Sequence, residues 1–375
     1  MPPFYRDFYV KKEKTMLIFD RIKKETDAEF DAVMLVSPIN RRYATGFKSS
    51  AGYVFATPDK TVFFTDFRYY GSALSAQSCG RMETDAEIRI LDGSLWDNVG
   101  ELMKAYGKIL IEESYLTLSH AESLKEKMPG KVFVHGASAA LNKLRSVKTE
   151  AELGKIISAQ KITDKAFAHI VPFISDNLGK LTESDVALEL EYFMRKNGAD
   201  GIAFDTIAVS GTKSAMPHGV PTDIKLQKGF LTMDFGAMFD GYCSDMTRTI
   251  CIGKPTDKMK LVYDTVLSAQ LAALDAISAD KTGKEIDGIA REIIDKAGFE
   301  GCFGHSLGHS LGLEIHESPN FSSGNGEKVP CGAVLSVEPG IYIDGEFGVR
   351  IEDIVNITEK GCRNLTKSVK DLIIL

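Results

Sequence analysis

Two distant segments of the chain repeat one pattern. Phe230-Leu231-Thr232-Met233-Asp234-Phe235-Gly236 is matched by Val334-Leu335-Ser336-Val337-Glu338-Pro339-Gly340, and each runs on to an Asp-Gly pair, Asp240-Gly241 and Asp344-Gly345. Asp-Gly between β-rich runs is a strong hairpin signal. Beyond each turn comes another β-rich run with an acid of its own, Asp245 in the first copy and Glu352 in the second. The repeat therefore predicts two related hairpins with a carboxylate on each arm. Carboxylates seldom enter apolar strands unless paired or bound to a cation. Four of them converging in a core would repel one another strongly, and a pair of divalent cations bridged by carboxylates relieves that repulsion. One such acid facing solvent would be ordinary; all four doing so is not expected.

Histidines sharpen the reading. Of seven, His218 lies in Met216-Pro217-His218-Gly219, and His305, His309 and His316 fall close together in a glycine-flanked stretch, 304–317. His120, His135 and His169 stand apart and read as structural. In Val349-Arg350-Ile351-Glu352 the strand period of two puts Arg350 and Glu352 on one face. A carboxylate-rich donor set with an imidazole favours Mn, Fe, Co or Zn over thiolate-type sites.

The same stretch offers a competing motif. Gly304-His305-Ser306-Leu307-Gly308 fits the G-x-S-x-G nucleophile elbow, and Gly308-His309-Ser310-Leu311-Gly312 fits it again. The alternative function is a serine hydrolase of α/β-hydrolase type with Ser306 as nucleophile. An elbow needs a buried strand before it, whereas 297–303 is broken by glycines. The triad order also needs a histidine downstream, and none follows His316. The serine reading is disfavoured.

The 375 residues suggest two domains at roughly 150 residues each. With 44% hydrophobic and 26% charged residues, disordered and fibrous classes are excluded. A net charge of -7 argues against nucleic acid as a partner. The six cysteines show no C-x-x-C spacing, which argues against a zinc ribbon or disulfide scaffold. Residues 1–14 are charged and lack an apolar core, so no secretory leader is expected. No apolar run approaches the roughly 18 residues of a membrane span. The expectation is a cytoplasmic protein with no membrane partner.

Strand-like runs at 32–36, 61–65, 108–111 and 131–134 alternate with helical spacing at 16–28 and 95–106, which predicts an α/β layer domain over 1–140. No dinucleotide or P-loop fingerprint follows these strands. Small residues at 137–147 mark a boundary. Thr149 and Glu152 then make a capping box, opening a helix, and further helices are predicted over 182–197, 257–279 and 284–296 within a second domain, 145–375.

From about Arg145 to the C-terminus the chain resembles the pita-bread metallopeptidases, in the Xaa-Pro peptidase branch containing prolidase (Xaa-Pro dipeptidase) and aminopeptidase P. The segments that carry the resemblance are 233–236, 240–249, Gly308-His309, Ile315-His316-Glu317, 338–342 and 348–353. Asn40-Arg41-Arg42-Tyr43-Ala44-Thr45-Gly46-Phe47 and Thr65-Asp66-Phe67-Arg68-Tyr69 resemble the creatinase/prolidase amino domain. The resemblance implies an α/β amino domain of that type and an α+β pita-bread catalytic domain.

It further implies roles. Asp234 would bind one metal, Asp245 and Glu352 would bridge two, and His309 and Glu338 would complete the second. A metal-bridged hydroxide would be the nucleophile, with Glu338 as general base. His218 and His316 would flank the substrate in binding and catalysis. Arg350 would orient Glu352, meet a substrate carboxylate or form a structural pair, while Tyr342 and His305 would pack around the site. The implied cofactors are two divalent ions, Mn first, with Co, Fe or Zn as alternatives. The implied substrate is a proline-containing dipeptide or short peptide cut before a penultimate proline. The dipeptidase is favoured over aminopeptidase P, and the implied assembly is a homodimer. Ser306 and Ser310 stand where many members have glycine. Creatinase lacks this metal set, and methionine aminopeptidase usually lacks the amino domain.

Overall fold

The computed structural model describes residues 16–82 and 86–375, so the charged segment 1–14 lies outside the described residues. The chain divides between Leu144 and Arg145 into two compact units.

In the amino unit, β1 (Ala32–Leu35), β2 (Tyr53–Ala56), β3 (Thr61–Thr65), β4 (Glu87–Ile90), β5 (Lys108–Ile111) and β6 (Val132–His135) form one sheet in the order β4-β3-β2-β1-β5-β6. β2 alone runs antiparallel to the rest. The helices are α1 (Ile18–Lys24), α2 (Pro38–Thr45), α3 (Phe67–Ser78), α4 (Leu95–Leu102), α5 (Leu118–Lys127) and α6 (Ala137–Ser146). Near-continuous apolar strands such as Ala32-Val33-Met34-Leu35 fit a sheet covered on both faces. Alternate residues part accordingly: Val33, Leu35 and Phe63 pack with Ile22 of α1 and Leu141 of α6, while Met34, Phe64 and Ile109 pack with Val99 of α4 and Leu124 of α5.

Two expectations need correction. The small residues at 137–147, read as preceding the helix that starts at Thr149, are themselves mostly helix α6, because Ala137, Ala140 and Leu141 are spaced to bury one face. The helix read over 16–28 stops at Lys24, since its buried positions end at Ile22.

The second unit is built twice over. Its first half has α7 (Glu150–Asp176) and α8 (Glu183–Lys196), then β7 (Gly201–Ile202), β8 (Ile207–Ser210), β9 (Gly229–Asp234), β10 (Ala237–Phe239), β11 (Tyr242–Cys243) and β12 (Thr247–Ile252). The other half has α9 (Asp257–Ala276), α10 (Gly283–Ile294), β13 (Gly308–Ser310), β14 (Glu317–Phe321), β15 (Val334–Val337), β16 (Gly340–Ile343), β17 (Phe347–Arg350), β18 (Asp353–Thr358) and β19 (Gly361–Asn364). Capping boxes open α8 and α10 alike, from Thr182 with Asp185 and Thr282 with Glu285. Each helix pair packs on its own half's core. No helix among the described residues is long and apolar enough to cross a membrane.

The hairpin repeat is real, with one difference. β9 pairs with β12 from Gly229↔Ile252 to Asp234↔Thr247, and β15 with β18 from Val334↔Asn356 to Val337↔Asp353. Each ladder then breaks and resumes as β10–β11 or β16–β17 before its turn. Asp240 (φ 44°) and Gly241 (φ 72°) give the first turn the two left-handed residues a tight hairpin requires. The acids lie at the breaks instead of within the arms: Asp234 ends β9, Glu338 follows β15, and Asp245 and Glu352 precede β12 and β18. A residue at a break escapes the alternation of the pleat, so four acids can turn toward one centre.

Close backbone approach fixes the second half around its histidine. A Cβ on Gly308 would overlap the carbonyl oxygen of Ser336. Gly308→Ala is expected to cost at least about 1–3 kcal/mol as an overpacked substitution and to reduce activity by displacing His309. A thermal melt and a kinetic assay check this; an unchanged protein in both would contradict the strand packing described here.

Candidate metal centre

Asp234, Asp245, His309, Glu338 and Glu352 line one cavity of about 500 Å³, with His218, His305, His316 and Arg350 also on its wall. Of the ten residues assigned from sequence to the metal site or its surroundings, all but Tyr342 therefore reach the same space. Tyr342 meets it through hydrogen bonds to His305 and Arg350.

His309 is aimed by the strand that carries it. The β13–β14 register slips between His309 and Ser310, and a bulge of this kind redirects a side chain. Its Nδ1 lies 3.2 Å from the Ser310 carbonyl oxygen, an acceptor, so Nδ1 carries the proton. Burial pushes the imidazole below its ordinary value, which keeps the ring neutral. Nε2 then presents a lone pair toward Asp245 Oδ2 at 3.6 Å and Glu338 Oε1 at 3.4 Å. Lone pair facing carboxylate is repulsive unless a cation lies between.

The carboxylates point the same way. Asp234 Oδ1, Asp245 Oδ1 and Glu352 Oε1 are buried without a hydrogen-bond partner. Donor atoms of Asp245, His309 and Glu352 lie within 4.8 Å of one another. Burial holds the Asp245 carboxyl well above its ordinary range, and the charges of Glu352, Asp234 and Glu338 add to this. Glu352 is raised for the same reasons, by burial and then by Glu338 and Asp234. Burial also raises Glu338. Buried acids that lack partners and resist ionisation are what a cation site looks like when described by its protein atoms alone.

Two of the remaining oxygens are held by neighbours the sequence reading did not assign. Thr247 Oγ1 donates to Glu352 Oε2 at 2.8 Å and accepts from Arg350 Nε at 2.9 Å. Ser336 Oγ donates to Glu338 Oε1 at 3.0 Å and accepts from the His309 backbone at 3.0 Å. Each sits two residues from an acid, Thr247 after Asp245 and Ser336 before Glu338, a spacing that could have flagged both.

Arg350 pairs with Asp234 Oδ2 at 2.6 Å, where orientation of Glu352 was one expectation; its link to Glu352 runs through Thr247. Nη1 donates to the Tyr342 hydroxyl at 2.8 Å and to Pro217 O at 3.3 Å. The Tyr342 hydroxyl is 2.9 Å from His305 Nε2, and His305 Nδ1 is 2.9 Å from the Ser306 carbonyl. Because that carbonyl only accepts, every proton in the chain is placed: His305 Nδ1–H to Ser306, Tyr342 O–H to His305 Nε2, Arg350 N–H to Tyr342 and Asp234. Burial opposes the Arg350 charge, but Tyr342, Asp234 and Glu338 outweigh it and hold the guanidinium protonated. Tyr342 is pushed up to about 12 by burial, so its proton stays in place.

His316 stacks edge-on against His309, with ring centroids 4.4 Å apart. Burial lowers its pKa, with His309 adding to the effect. His218 and His316 are both exposed enough to meet a ligand. Ser310 is fully buried and takes a hydrogen bond from Lys148 Nζ at 3.0 Å. Ser306 lies in the loop before β13. Among the described residues no histidine side chain hydrogen-bonds the Ser306 hydroxyl, so neither serine has the elbow geometry.

Residues 154–359 match the model of metallopeptidase family M24, and residues 21–147 match that of the creatinase/prolidase N-terminal domain. The chain belongs to metallopeptidase family M24. It is 40% identical to the uncharacterized peptidase YqhT of Bacillus subtilis, over 92% of this chain and 96% of that one. Its fold matches a solved Xaa-Pro dipeptidase from Bacillus anthracis with TM-score 0.88 and 41% identity, covering 95% of this chain and 98% of the other. An X-Pro aminopeptidase from Thermotoga maritima matches with TM-score 0.87 and 36% identity, over 95% and 100%. The M24 chain is thus a metallopeptidase of pita-bread fold related to Xaa-Pro dipeptidases, with a creatinase-type α/β amino domain, and its family implies a divalent metal.

Proposed function

We propose that this M24 peptidase is a dinuclear-metal exopeptidase that hydrolyses the bond between an N-terminal residue and a following proline, preferring Xaa-Pro dipeptides. The observation that carries the reading is the gathering of three unpartnered buried carboxylate oxygens, from Asp234, Asp245 and Glu352, in the cavity that the bare Nε2 of His309 also lines. Asp234, Asp245, His309, Glu338 and Glu352 would hold two divalent ions, Mn first and Co, Fe or Zn as alternatives. When bound, such ions acidify water and polarise the scissile carbonyl.

The chain's own residues supply the rest. Ser336 fixes Glu338 by one oxygen, leaving the other to take the proton of the attacking water and hand it to the proline nitrogen as that bond breaks. His218 and His316 would meet the developing oxyanion or the terminal carboxylate of the dipeptide. Phe204, Ile207, Pro217 and Ile315 give the cavity an apolar wall against which a proline ring can lie. Arg350 acts by holding Asp234, its donors being engaged within the protein. The kinship with a dipeptidase at 41% identity favours the dipeptide over a longer substrate. We also propose a homodimer, on family resemblance, for which sedimentation equilibrium is the test.

The function is tested by chelation and add-back. Metal-stripped protein is expected to be inactive, and Mn or Co should restore proline release from an Xaa-Pro dipeptide. Preference for an Xaa-Pro-Xaa peptide would make it an aminopeptidase P. Chelator-resistant activity lost in Ser306→Ala would return the serine hydrolase, and no turnover of either peptide with metal bound would refute proline specificity.

A further inference from the structure

The amino unit holds a second cavity, of about 490 Å³, that the peptidase reading does not use. Its position follows from the sheet. Val36, Leu91 and Tyr115 on its wall come just after the carboxyl ends of β1, β4 and β5, strands that run parallel. In open α/β sheets, ligands bind in the crevice outside the carboxyl ends of parallel strands.

Arg41 lines this cavity and is only 3% exposed. Its Nη1 donates to the Val36 carbonyl and its Nη2 to the Ser49 carbonyl at 2.8 Å. Nε is buried with no partner. Among the described residues no carboxylate forms an ion pair with it. Glu112 acts on Arg41 through space, yet its own oxygens are taken up by the Val36 and Ser37 backbone, the Ser37 hydroxyl and Asn40. A buried guanidinium bonded only to carbonyls, with no carboxylate in direct contact, is costly. Lys127 adds a second cation on the wall, placed over the Trp96 ring at 5.0 Å. No acid among the described residues lines the cavity. Ser50 and His120 add polar atoms to the wall, and Leu95, Trp96 and Tyr53 offer flat apolar or aromatic surface.

We propose that the amino unit binds a small carboxylate with an apolar body at this cavity, the carboxylate against Arg41 and the body against Trp96 and Tyr53. Arg41 supplies the buried charge-assisted contact that sets affinity, and Lys127 at the mouth contributes less because water screens it. The site is separate from the metal centre and does not depend on which peptide the enzyme cuts.

Trp96 is the single tryptophan of the chain, so intrinsic emission of the full-length holoenzyme reads the cavity directly. Titration with 4-methylpentanoate should give a saturable change in emission. The neutral isostere 4-methylpentanamide should bind roughly tenfold more weakly or worse, the loss expected for a hydrogen bond to a charged group. Inorganic phosphate, lacking an apolar body, should also bind more weakly than the carboxylate. Arg41→Met should abolish the response, and the exposed Lys127→Gln should weaken it by roughly threefold. No response to the carboxylate, equal binding of the amide or phosphate, or an undiminished response in Arg41→Met would overturn the proposal. Should Arg41→Met fail to fold, Lys127→Gln decides, and unchanged affinity there refutes charge recognition.

Discussion

Asp245→Asn, stripped of metal, is expected to melt at a higher temperature than stripped wild type at neutral pH, while with metal supplied its activity falls roughly three orders of magnitude below wild type. The two effects have one cause. Asp245 is buried among Glu352, Asp234 and Glu338, and both burial and those charges disfavour its ionised form. Its Oδ1 has no partner. An amide in its place removes one like charge and brings N–H donors toward neighbouring lone pairs. Linkage gives the pH dependence. A carboxyl whose folded pKa is raised above the ordinary 3.8 keeps its proton longer in the folded chain than in the unfolded one. Metal-free wild type therefore loses stability as pH climbs from the ordinary carboxylate range through the raised pKa, and levels off above it. The variant should show a shallower fall. Adding metal should reverse the order, raising the wild-type melting temperature strongly and the variant's little. Glu352→Gln should behave alike, since Glu352 Oε1 is also unpartnered. Calorimetry across pH, with and without Mn, together with steady-state kinetics, measures all of this. A stripped variant less stable than wild type, or one that keeps full activity, would sink the assignment of Asp245 to the metal centre.

The sequence brought the four acids to notice because each sits in or beside a β-rich run, and because the motif occurs twice. It also marked the start of the first helix of the second unit, since Thr149 brings its own partner three residues on, and Thr182 and Thr282 prove to open α8 and α10 in the same way. Local chemistry of that kind can be read along the chain. What could not be read was set by register. Whether Glu352 lies in an arm or at a break depends on how β15 meets β18, a pairing between segments far apart. Arg350 looked like a partner of Glu352 because alternation is a local rule, yet its carboxylate is Asp234, which comes from the other hairpin. β2 was missed for a similar reason: Tyr53-Val54-Phe55-Ala56 is short, and its identity as a strand comes from neighbours on both sides.

Glu317 shows the same limit with the largest consequence for stability. Its motif neighbour His316 drew attention, while the side chain of Glu317 itself faces inward to two cations. Oε1 meets Arg145 Nη2 at 2.5 Å and Oε2 meets Lys148 Nζ at 3.1 Å, with Arg145 and Lys148 both almost wholly buried. Lys148 also reaches Ser310, next to His309. The cluster thus braces 309–317, the segment that carries His309 and His316, against the start of the second unit. Glu317→Ala would leave buried Lys148 without its carboxylate and Arg145 with Glu314 at 2.6 Å, and removing one partner from a buried ion pair costs about 3–5 kcal/mol. The expected result is a denaturant midpoint shifted down with little change in m, together with a lower kcat/KM at temperatures where the variant is folded. Glu317→Gln, which keeps the shape, should lose less. The pH dependence runs opposite to that of Asp245. Although burial opposes it, Lys148 and Arg145 hold the Glu317 carboxyl below its ordinary 4.5. Its contribution is therefore fully present above that value and is lost as pH falls through the depressed one. Replacing Glu317 and Lys148 together by leucine and methionine should recover part of the loss, because an apolar pair need not be neutralised. A single alanine variant within 1 kcal/mol of wild type, roughly the scale of a surface change, would mean that solvent already screens these charges and that the brace is not what holds the histidine segment.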